Sequence, residues 1–279
     1  MSDNCLDNQR DCFKPIFKYY KNNEYLKSSN NEIIDFLKVD LETRHEIKEI
    51  AINRNNNRFD SPLIQDFRDI NNWKMFSIDS VDGLLVVPQI LTKEASNKWF
   101  HYLLKELPYT ECDHLKANIS LPPTQDTNLR WISFGYHHNW DTKMYDESND
   151  SPIPIQIQQL FEYISQSLGF NTFNGQSGLI NYYNNGSTLC PHSDHSEPNK
   201  TAPLFSLSLG STAIFLIGDT TKWSTKPVVS IYLRDGDLLI MSSQSRQAFH
   251  AIPKVFNDSV NYKHEKVKRI NINIRQMSL

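Results

Sequence analysis

The chain has 279 residues, of which 39% are hydrophobic and 11% aromatic, as expected of a folded protein with a sizeable core. Its formal net charge of -3 at pH 7 excludes a global basic field, so a polyanionic partner would have to contact a local patch of cations. The four cysteines are scattered and form no C-x-x-C pair, which argues against a disulfide scaffold and a cysteine-rich zinc site.

The sequence shows no pattern typical of membrane insertion or export. No apolar run approaches the ~20 residues that a membrane-spanning helix needs. The first segment, MSDNCLDNQRD, is polar and acidic, unlike a secretory signal or a typical mitochondrial import sequence. We therefore expect a protein of the cytosol or nucleus, with the mitochondrion left open. We also expect a monomer.

The first part of the chain predicts helices and one early strand. Apolar residues between Asn31 and Ile50 recur at helical spacing, which predicts an amphipathic helix there. The segment GLLVVPQIL (83–91) predicts a strand. The segment TKEASNKWFHYLLKEL (92–107) predicts a helix that is capped by Thr92 and has a basic residue in its last turn.

The later part of the chain is dominated by short strands. RWISFGYH (130–137) predicts a strand and PIQIQQLFEYISQSLG (154–169) an amphipathic helix. Seven short strand candidates follow: GLINYYNN, TLCPHSD, PLFSLSLG, TAIFLIGD, VVSIYLRDGD, LLIMSS and RININIRQ. Helices followed by short strands indicate an α+β protein with a jelly-roll, or double-stranded β-helix, core rather than βαβ units.

Within TLCPHSD, period-two alternation would place His192 and Asp194 on the same face of a strand. A third metal ligand must come from elsewhere, and His250, at the end of the strand-like run LLIMSSQSRQAFH, is the best candidate. Two histidines and one carboxylate form the facial triad of non-haem Fe(II) oxygenases, although zinc enzymes also use this set. A polar loop without metal is the alternative for the H-x-D pair alone.

The last strand candidate, RININIRQ, carries two spaced arginines. Alternation places Arg269, Asn271, Asn273 and Arg275 on one face, with isoleucines on the other. Six residues separate the arginine Cα atoms by about 20 Å, and side chains of roughly 6 Å leave a gap that fits a five-carbon diacid. Since arginine pairs with carboxylates, the triad and this strand point to 2-oxoglutarate. A half-exposed edge strand is the alternative.

These elements together resemble the AlkB family of Fe(II)- and 2-oxoglutarate-dependent dioxygenases. The shared motifs are H-x-D, the later His250, R-x-N-x-x-x-R in the last strand, N-x-Y at Asn181 and Tyr183, and S-R-x-x-x-H before His250. The resemblance covers roughly residues 80 to 279. It implies that 1–80 is an N-terminal extension, helical and packed on the core, and that 81–279 is the Fe(II)/2-oxoglutarate dioxygenase domain.

The finer similarity is to the homologue-one branch of that family, through DCFKPIF (11–17), RWISFGYHHNWD (130–141), NYY (181–183) and HSDHSE (192–197). The segment from Ile252 to Lys268 is shorter than is usual in that branch. The resemblance implies three sets of residues: His192, Asp194 and His250 for iron; Asn181, Tyr183, Arg269, Asn271, Asn273 and Arg275 for 2-oxoglutarate; and Tyr136, His137, His138 and Asn139 for substrate.

The function that the resemblance implies is oxidative demethylation of N-methylated nucleobases, such as 1-methyladenine or N6-methyladenine, in tRNA or in single-stranded or unpaired DNA. The reaction would use Fe(II), 2-oxoglutarate and O₂ and would release formaldehyde, succinate and CO₂. Two alternatives stay open: a protein hydroxylase or histone demethylase on the same iron core, and a non-catalytic reader of modified RNA. For phosphate contacts we expect Lys263, Lys266 and Lys268 at the active-site mouth, extended by Lys14, Lys18 and Lys21.

Overall fold

Two antiparallel sheets that face each other form the centre of the computed structural model, which describes residues 11–27, 33–53, 61–124, 128–139, 141–145, 150–259 and 261–278. The strands are β1 (Ile47–Ile50), β2 (Met75–Ile78), β3 (Leu84–Val87), β4 (Lys116–Ala117), β5 (Trp131–Gly135), β6 (His138–Asn139), β7 (Met144–Tyr145), β8 (Ser177–Asn184), β9 (Leu189–His192), β10 (Leu204–Gly210), β11 (Ala213–Ile217), β12 (Val229–Leu233), β13 (Leu238–Met241), β14 (His250–Val255) and β15 (Val267–Arg275). Within the described residues, the larger sheet has the order β1-β2-β3-β13-β10-β15-β8-β5-β4 and the smaller β12-β11-β14-β9. A separate hairpin pairs β6 with β7.

The last eight strands alternate between the two sheets. β8, β10, β13 and β15 belong to the larger sheet, and β9, β11, β12 and β14 to the smaller. The chain therefore passes from one sheet to the other at almost every connection, which is the path of a double-stranded β-helix. The predicted α+β fold with a jelly-roll core is confirmed.

The described residues form the α-helices α1 (Phe13–Lys21), α2 (Lys93–His101), α3 (Leu107–Thr110) and α4 (Ile155–Ser167). Of these, α2 and α4 cover the outer face of the larger sheet. As predicted, α2 is capped by Thr92, whose hydroxyl accepts a 3.1 Å hydrogen bond from the backbone N–H of Ala95. Trp99 of α2 and Leu160 of α4 are buried in the same core as the isoleucines of β15. None of the described helices is long and apolar enough to cross a bilayer.

The strand β15 lies in the middle of the larger sheet, hydrogen-bonded to β10 on one side and β8 on the other. Ile270, Ile272 and Ile274 are almost completely buried beneath the helices. Because side chains alternate along a strand, the two arginines of β15 face the space between the sheets. The alternative of a half-exposed edge strand is therefore wrong.

The helix α1 packs on the outer face of the smaller sheet. Its buried side chains Phe13, Phe17 and Tyr20 share a hydrophobic cluster with Ile214 and Leu216 of β11. Alternation along β11 directs its other residues inward, toward the larger sheet. The motif DCFKPIF therefore supplies an outer cover for this sheet.

The prediction of a helix from Asn31 to Ile50 is wrong for the described residues, which begin at Ile33. Turns and the short strand β1 occupy this segment. Ile34 forms an isolated parallel bridge with Ile231, donating to the carbonyl of Ser230 and accepting from the N–H of Tyr232. Ile33 and Ile34 are buried beside the edge strand β12, an interaction that helical periodicity cannot reveal, while Leu37 and Leu41 are exposed.

The run LLIMSSQSRQAFH is also not one strand. β13 ends at Met241, a 3₁₀ turn covers Ser243–Gln247, and β14 begins at His250. Ser242 and Ser245 cap this turn reciprocally. His250 therefore starts an eighth jelly-roll strand, which the sequence reading missed.

Candidate iron and 2-oxoglutarate site

The predicted metal ligands meet at one end of the smaller sheet. His192 is the last residue of β9 and pairs in register with His250, the first residue of β14. Asp194 follows two residues after β9. One nitrogen from each histidine and one carboxylate oxygen all lie within 4.8 Å of one another. A single first-row metal ion can bind these three atoms while keeping open positions.

Both histidines are oriented by backbone carbonyls. Nδ1 of His192 lies 2.9 Å from the carbonyl of Cys190, and Nδ1 of His250 lies 3.0 Å from the carbonyl of Ala248. A carbonyl can only accept, so each Nδ1 carries the proton and each Nε2 keeps its lone pair for a metal. Burial, reinforced by His192, lowers the pKa of His250 to about 4 and keeps it neutral near pH 7.

The third ligand is bound to an arginine of the last strand. Nη2 of Arg275 donates a 2.7 Å hydrogen bond to Oδ2 of Asp194. The other carboxylate oxygen, Oδ1, lies 3.7 Å from Nε2 of His192. Burial alone would raise the pKa of Asp194, but Arg275 and the two histidines outweigh it and hold the pKa well below its usual range. The carboxylate is therefore ionised and ready to bind a cation.

A second buried carboxylate, Glu197, extends this ion pair. Its Oε1 lies 2.9 Å from Nε of Arg275 and its Oε2 3.6 Å from Nη2 of Arg246. The Glu197 and Arg246 side chains are only 4% and 2% exposed. Arg246 also donates to the backbone carbonyl of Asp194 at 3.4 Å. Two carboxylates and two guanidinium groups thus balance one another beside the metal ligands.

The other arginine of β15 lies at the opposite end of the cavity. Arg269 is 1% exposed, and its Nη atoms donate to the hydroxyl of Ser208 at 2.7 Å and to the carbonyls of Ser211 and Leu233 at 3.3 Å. Among the described residues its Nε has no hydrogen-bond partner and no carboxylate lies within ion-pairing distance. A buried guanidinium without a carboxylate suits an anionic ligand.

The remaining predicted cosubstrate residues line the same cavity. Tyr183 pairs with Arg269 across β8 and β15, and Asn181 pairs with Asn271. The amide of Asn271 donates to the hydroxyl of Ser206 and to a backbone carbonyl, so internal contacts use both of its N–H groups. Burial raises the pKa of Tyr183 to about 12, so its hydroxyl stays protonated and able to donate.

The cavity between the sheets has a volume of about 470 Å³ and contains all three candidate ligands. Its polar lining includes Asn181, Tyr183, His192, Asp194, Glu197, His250, Arg269, Asn271, Asn273 and Arg275. The metal ligands lie at one end of the cavity and Arg269 at the other, with Asn271 and Asn273 of β15 between them. Such a cavity can hold a short dianion together with part of a second ligand.

Two of the four predicted substrate residues line the cavity, and two do not. Tyr136 and His138 line the cavity, and the His138 ring contacts that of Tyr145 edge to face at 5.1 Å. His137 is 2% exposed and lies between the hydroxyls of Ser133 and Ser151, at 2.8 and 2.9 Å. The exposed Asn139 accepts from the backbone N–H groups of its own turn. His137 and Asn139 therefore do not line the main cavity.

Three residues of the site were not assigned from the sequence. Glu197 and Arg246 belong to the quoted motifs HSDHSE and S-R-x-x-x-H, so the motifs contained a signal that was not interpreted. Tyr145 has no local signal, since only the pairing of β6 with β7 brings it to the cavity.

The expected lysine patch is not at the metal end of the barrel. Lys268 is 7% exposed, and its Nζ donates to the carbonyls of Tyr262 and Lys263 at 3.1 and 2.8 Å. Since β15 runs from there to Arg275, Lys268 lies about 20 Å from the metal ligands along the strand. Placing Lys263, Lys266 and Lys268 at the mouth was wrong, because the direction of β15 could not be deduced from sequence.

A jelly-roll barrel with two histidines and an aspartate at one end, and a buried arginine at the other, defines the class of non-haem iron oxygenases that use an oxo-diacid. The chain belongs to the 2OG-Fe(II) oxygenase superfamily, whose family model matches residues 83–275. The chain is accordingly an enzyme whose cofactors are Fe(II) and 2-oxoglutarate. The donor set fits both, with three ligands for iron and an unpaired guanidinium N–H for a carboxylate.

Comparison with known proteins supports the resemblance to the homologue-one branch of the AlkB family. The mouse nucleic acid dioxygenase ALKBH1 is 25% identical over 276 residues, covering 88% of this chain and 70% of that protein. The tRNA demethylase abh1 of Schizosaccharomyces pombe is 37% identical over 161 residues, which is 53% of each chain. The solved structure of OsALKBH1 superposes with a TM-score of 0.52 at 19% identity, over 70% of this chain and 96% of that one.

Proposed function

We propose that this chain removes methyl groups oxidatively from nitrogen atoms of nucleobases in tRNA or in single-stranded DNA. Relatives with this kind of activity in their names support the proposal. They include the tRNA demethylase of S. pombe and the DNA N(6)-methyladenine demethylase ALKBH1A of Arabidopsis thaliana, which is 31% identical over 207 residues, 65% of this chain and 58% of that one. One O₂ would be consumed, the methyl group would leave as formaldehyde, and succinate and CO₂ would form from 2-oxoglutarate.

His192, Asp194 and His250 would hold the iron, because they are the described cluster whose ligand atoms converge. When bound, iron and 2-oxoglutarate would supply, with O₂ as the oxidant, the oxidising chemistry that hydroxylates the methyl group. Arg275 would contact the oxo-acid end of 2-oxoglutarate, because it already lies on the metal ligand Asp194. Arg269 and Tyr183 would hold the remote carboxylate, since they face each other at the far end of the cavity.

The protein side chains would orient the base and exclude water from it. A base in a nucleic acid must leave its stack to enter such a cavity, and aromatic side chains compensate for the lost stacking. Tyr136, His138 and Tyr145 form an aromatic wall beside the metal ligands. Glu197 adds a carboxylate that can accept from an amino group of the base.

The observation that carries the proposal is that the triad opens into a cavity with an aromatic wall and a buried cation at its far end. The His192→Ala variant is the cleanest test of the metal site, since this side chain is 37% exposed and its hydrogen bond is to the nearby carbonyl of Cys190. We expect binding of Mn(II), measured by electron paramagnetic resonance, to weaken strongly while the melting temperature stays within a few degrees of wild type.

The substrate is tested with methylated tRNA fragments and single-stranded DNA, scored by mass spectrometry for loss of the methyl group. A parallel assay would measure succinate with histone peptides. Turnover of the peptides alone would contradict the proposal and favour a protein hydroxylase. Nucleic-acid binding without succinate would instead favour a non-catalytic reader.

A further inference from the structure

A single exposed tryptophan stands out on the surface of the described residues. Trp223 lies in the connection between β11 and β12, here called the 218–228 loop, and is 41% exposed. The ammonium group of Lys222 lies 4.5 Å from the centre of its ring. An exposed indole paired with a cation matches the surfaces that bind single-stranded nucleic acid.

The 218–228 loop emerges at the metal end of the barrel. Ile217, the last residue of β11, pairs with His250, which in turn pairs with His192. With strands about 5 Å apart, Ile217 lies only about 10 Å from His192 across the sheet. Two further backbone hydrogen bonds of 2.9 Å join Gly218 and Asp219 to Phe249, the residue before His250.

Asp219 holds this loop in one shape. Its carboxylate accepts from the hydroxyl of Ser224 at 2.7 Å and from the N–H of Thr220 at 2.8 Å. The same carboxylate lies 3.3 Å from the ammonium of Lys226. Hydrogen bonding, first from Ser224, lowers the pKa of Asp219, so it stays ionised near neutral pH. The tryptophan is therefore presented on a loop closed by side-chain contacts on both sides of it.

A row of cations continues from the tryptophan onto α1. The backbone N–H of Cys12 donates to the carbonyl of Lys222 at 2.9 Å, which places the start of α1 against the loop. Lys14 and Lys18 follow four residues apart, so they share one exposed face of this helix. In the described part of the chain, none of these three lysines has a carboxylate within ion-pairing distance. Their charge is available to a polyanion.

We propose that Trp223, Lys222, Lys14 and Lys18, here called the outer strand-binding surface, bind the nucleic-acid strand that flanks the target base. The proposal deepens the proposed function and rests on it. The indole stacks on a base that lies beyond the immediate neighbours of the target base, and the lysines contact the phosphates that lead away from it. This surface explains how an enzyme with a net charge of -3 binds a polyanion without the Lys263 to Lys268 segment.

The experiment compares Trp223→Ala with wild type on two substrates that carry the same methylated base: a long single-stranded oligonucleotide and a trinucleotide. Base stacking on an aromatic ring contributes enough for about a tenfold effect. We expect KM for the oligonucleotide to rise about tenfold with kcat unchanged, and both constants for the trinucleotide to stay at wild-type values. Trp223→Phe should retain most of the affinity, and Tyr109→Ala, which alters an exposed aromatic of α3, should change nothing.

The lysines are tested by direct binding, measured as fluorescence anisotropy of the oligonucleotide at several salt concentrations. Changing Lys14, Lys18 and Lys222 together to serine should lower the salt slope by about 2, since each lost contact with a single strand removes about 0.7. The matched control changes the exposed Lys263 and Lys266 to serine and should leave the slope unchanged.

The experiments distinguish failure of the outer strand-binding surface from failure of the demethylase function. If wild type demethylates both substrates but Trp223→Ala binds and turns over the oligonucleotide normally, the outer strand-binding surface is refuted and the demethylase function stands. An equal loss with the trinucleotide also refutes the surface, because a contact outside the cavity cannot affect it. If wild type demethylates neither substrate, the proposed function fails, and the anisotropy measurement still tests the surface.

Discussion

Arg275, at the end of the last strand, donates a 2.7 Å hydrogen bond to Asp194, which lies 81 residues earlier in the chain. The carboxylate oxygen it contacts is not the one closest to His192. One aspartate thus belongs to both the metal site and the 2-oxoglutarate site. Because they share it, loss of the arginine should weaken binding of metal and cosubstrate together.

The first prediction concerns Arg275→Lys. Lysine keeps the positive charge but cannot contact Asp194 and Glu197 at once, since it lacks the planar fork. We expect KM for 2-oxoglutarate to rise about tenfold or more, with a several-fold weaker Kd for Mn(II). KM for nucleic acid should change far less. Arg130→Lys, at an exposed position, is the control. Equal changes in both KM values would argue against a cosubstrate role.

The second prediction assigns the other arginine. Arg269→Met should remove the partner of the carboxylate remote from the metal, while a 2-oxo monoacid that lacks this carboxylate should bind as before. We expect KM for 2-oxoglutarate to rise by about thirtyfold or more, as loss of a buried charge pair costs at least about 2 kcal/mol. Competition assays with 2-oxoglutarate and the 2-oxo monoacid would measure the affinity of the variant for each acid. If the monoacid loses affinity equally, Arg269 acts through the fold.

The third prediction is about stability. Glu197→Gln leaves Arg246 buried at 2% exposure without a full charge partner. Breaking a buried ion pair from one side costs about 3 kcal/mol or more, so urea unfolding should show a large loss. The double variant with Arg246→Met should recover part of it, because no unpaired cation remains. If the double variant is no more stable than Glu197→Gln alone, the Glu197 and Arg246 side chains are not energetically coupled.

The fourth prediction concerns the pH dependence of the free energy of unfolding. Burial, reinforced by Lys116 and opposed by Asp150, lowers the pKa of His137 from 6.5 to about 4. Between these values the unfolded chain binds a proton that the folded chain does not, so the free energy of unfolding must fall as the pH drops from about 6.5 to about 4. The loss reaches about 2 to 3 kcal/mol by linkage.

Urea unfolding of wild type and His137→Gln at several pH values in that window checks this. The variant should lose part of the pH dependence and keep KM for nucleic acid, because the imidazole lies between two serine hydroxyls and not in the cavity. His101→Gln, at an exposed position, controls for loss of a histidine in general. A large rise in KM would restore His137 to the substrate site.

Features with a local period could be predicted from the sequence alone. The alternation of β15 gave the correct inner face, and the Thr92 cap gave the correct start of α2. The pair His192 and Asp194 was identifiable from the H-x-D motif, although β9 ends at His192 and Asp194 lies outside the strand. Motif order then supplied the third ligand and the fold.

Only the tertiary structure decided the features that depend on partners far along the chain. It showed that Glu197 and Arg246 complete a neutral charge cluster, that Lys268 is buried, and that His137 is held by two serines. A sequence shows that a side chain is charged, but not whether a partner from another strand will meet it. That depends on strand order and direction, because burial makes an unpaired charge costly and a paired one tolerable.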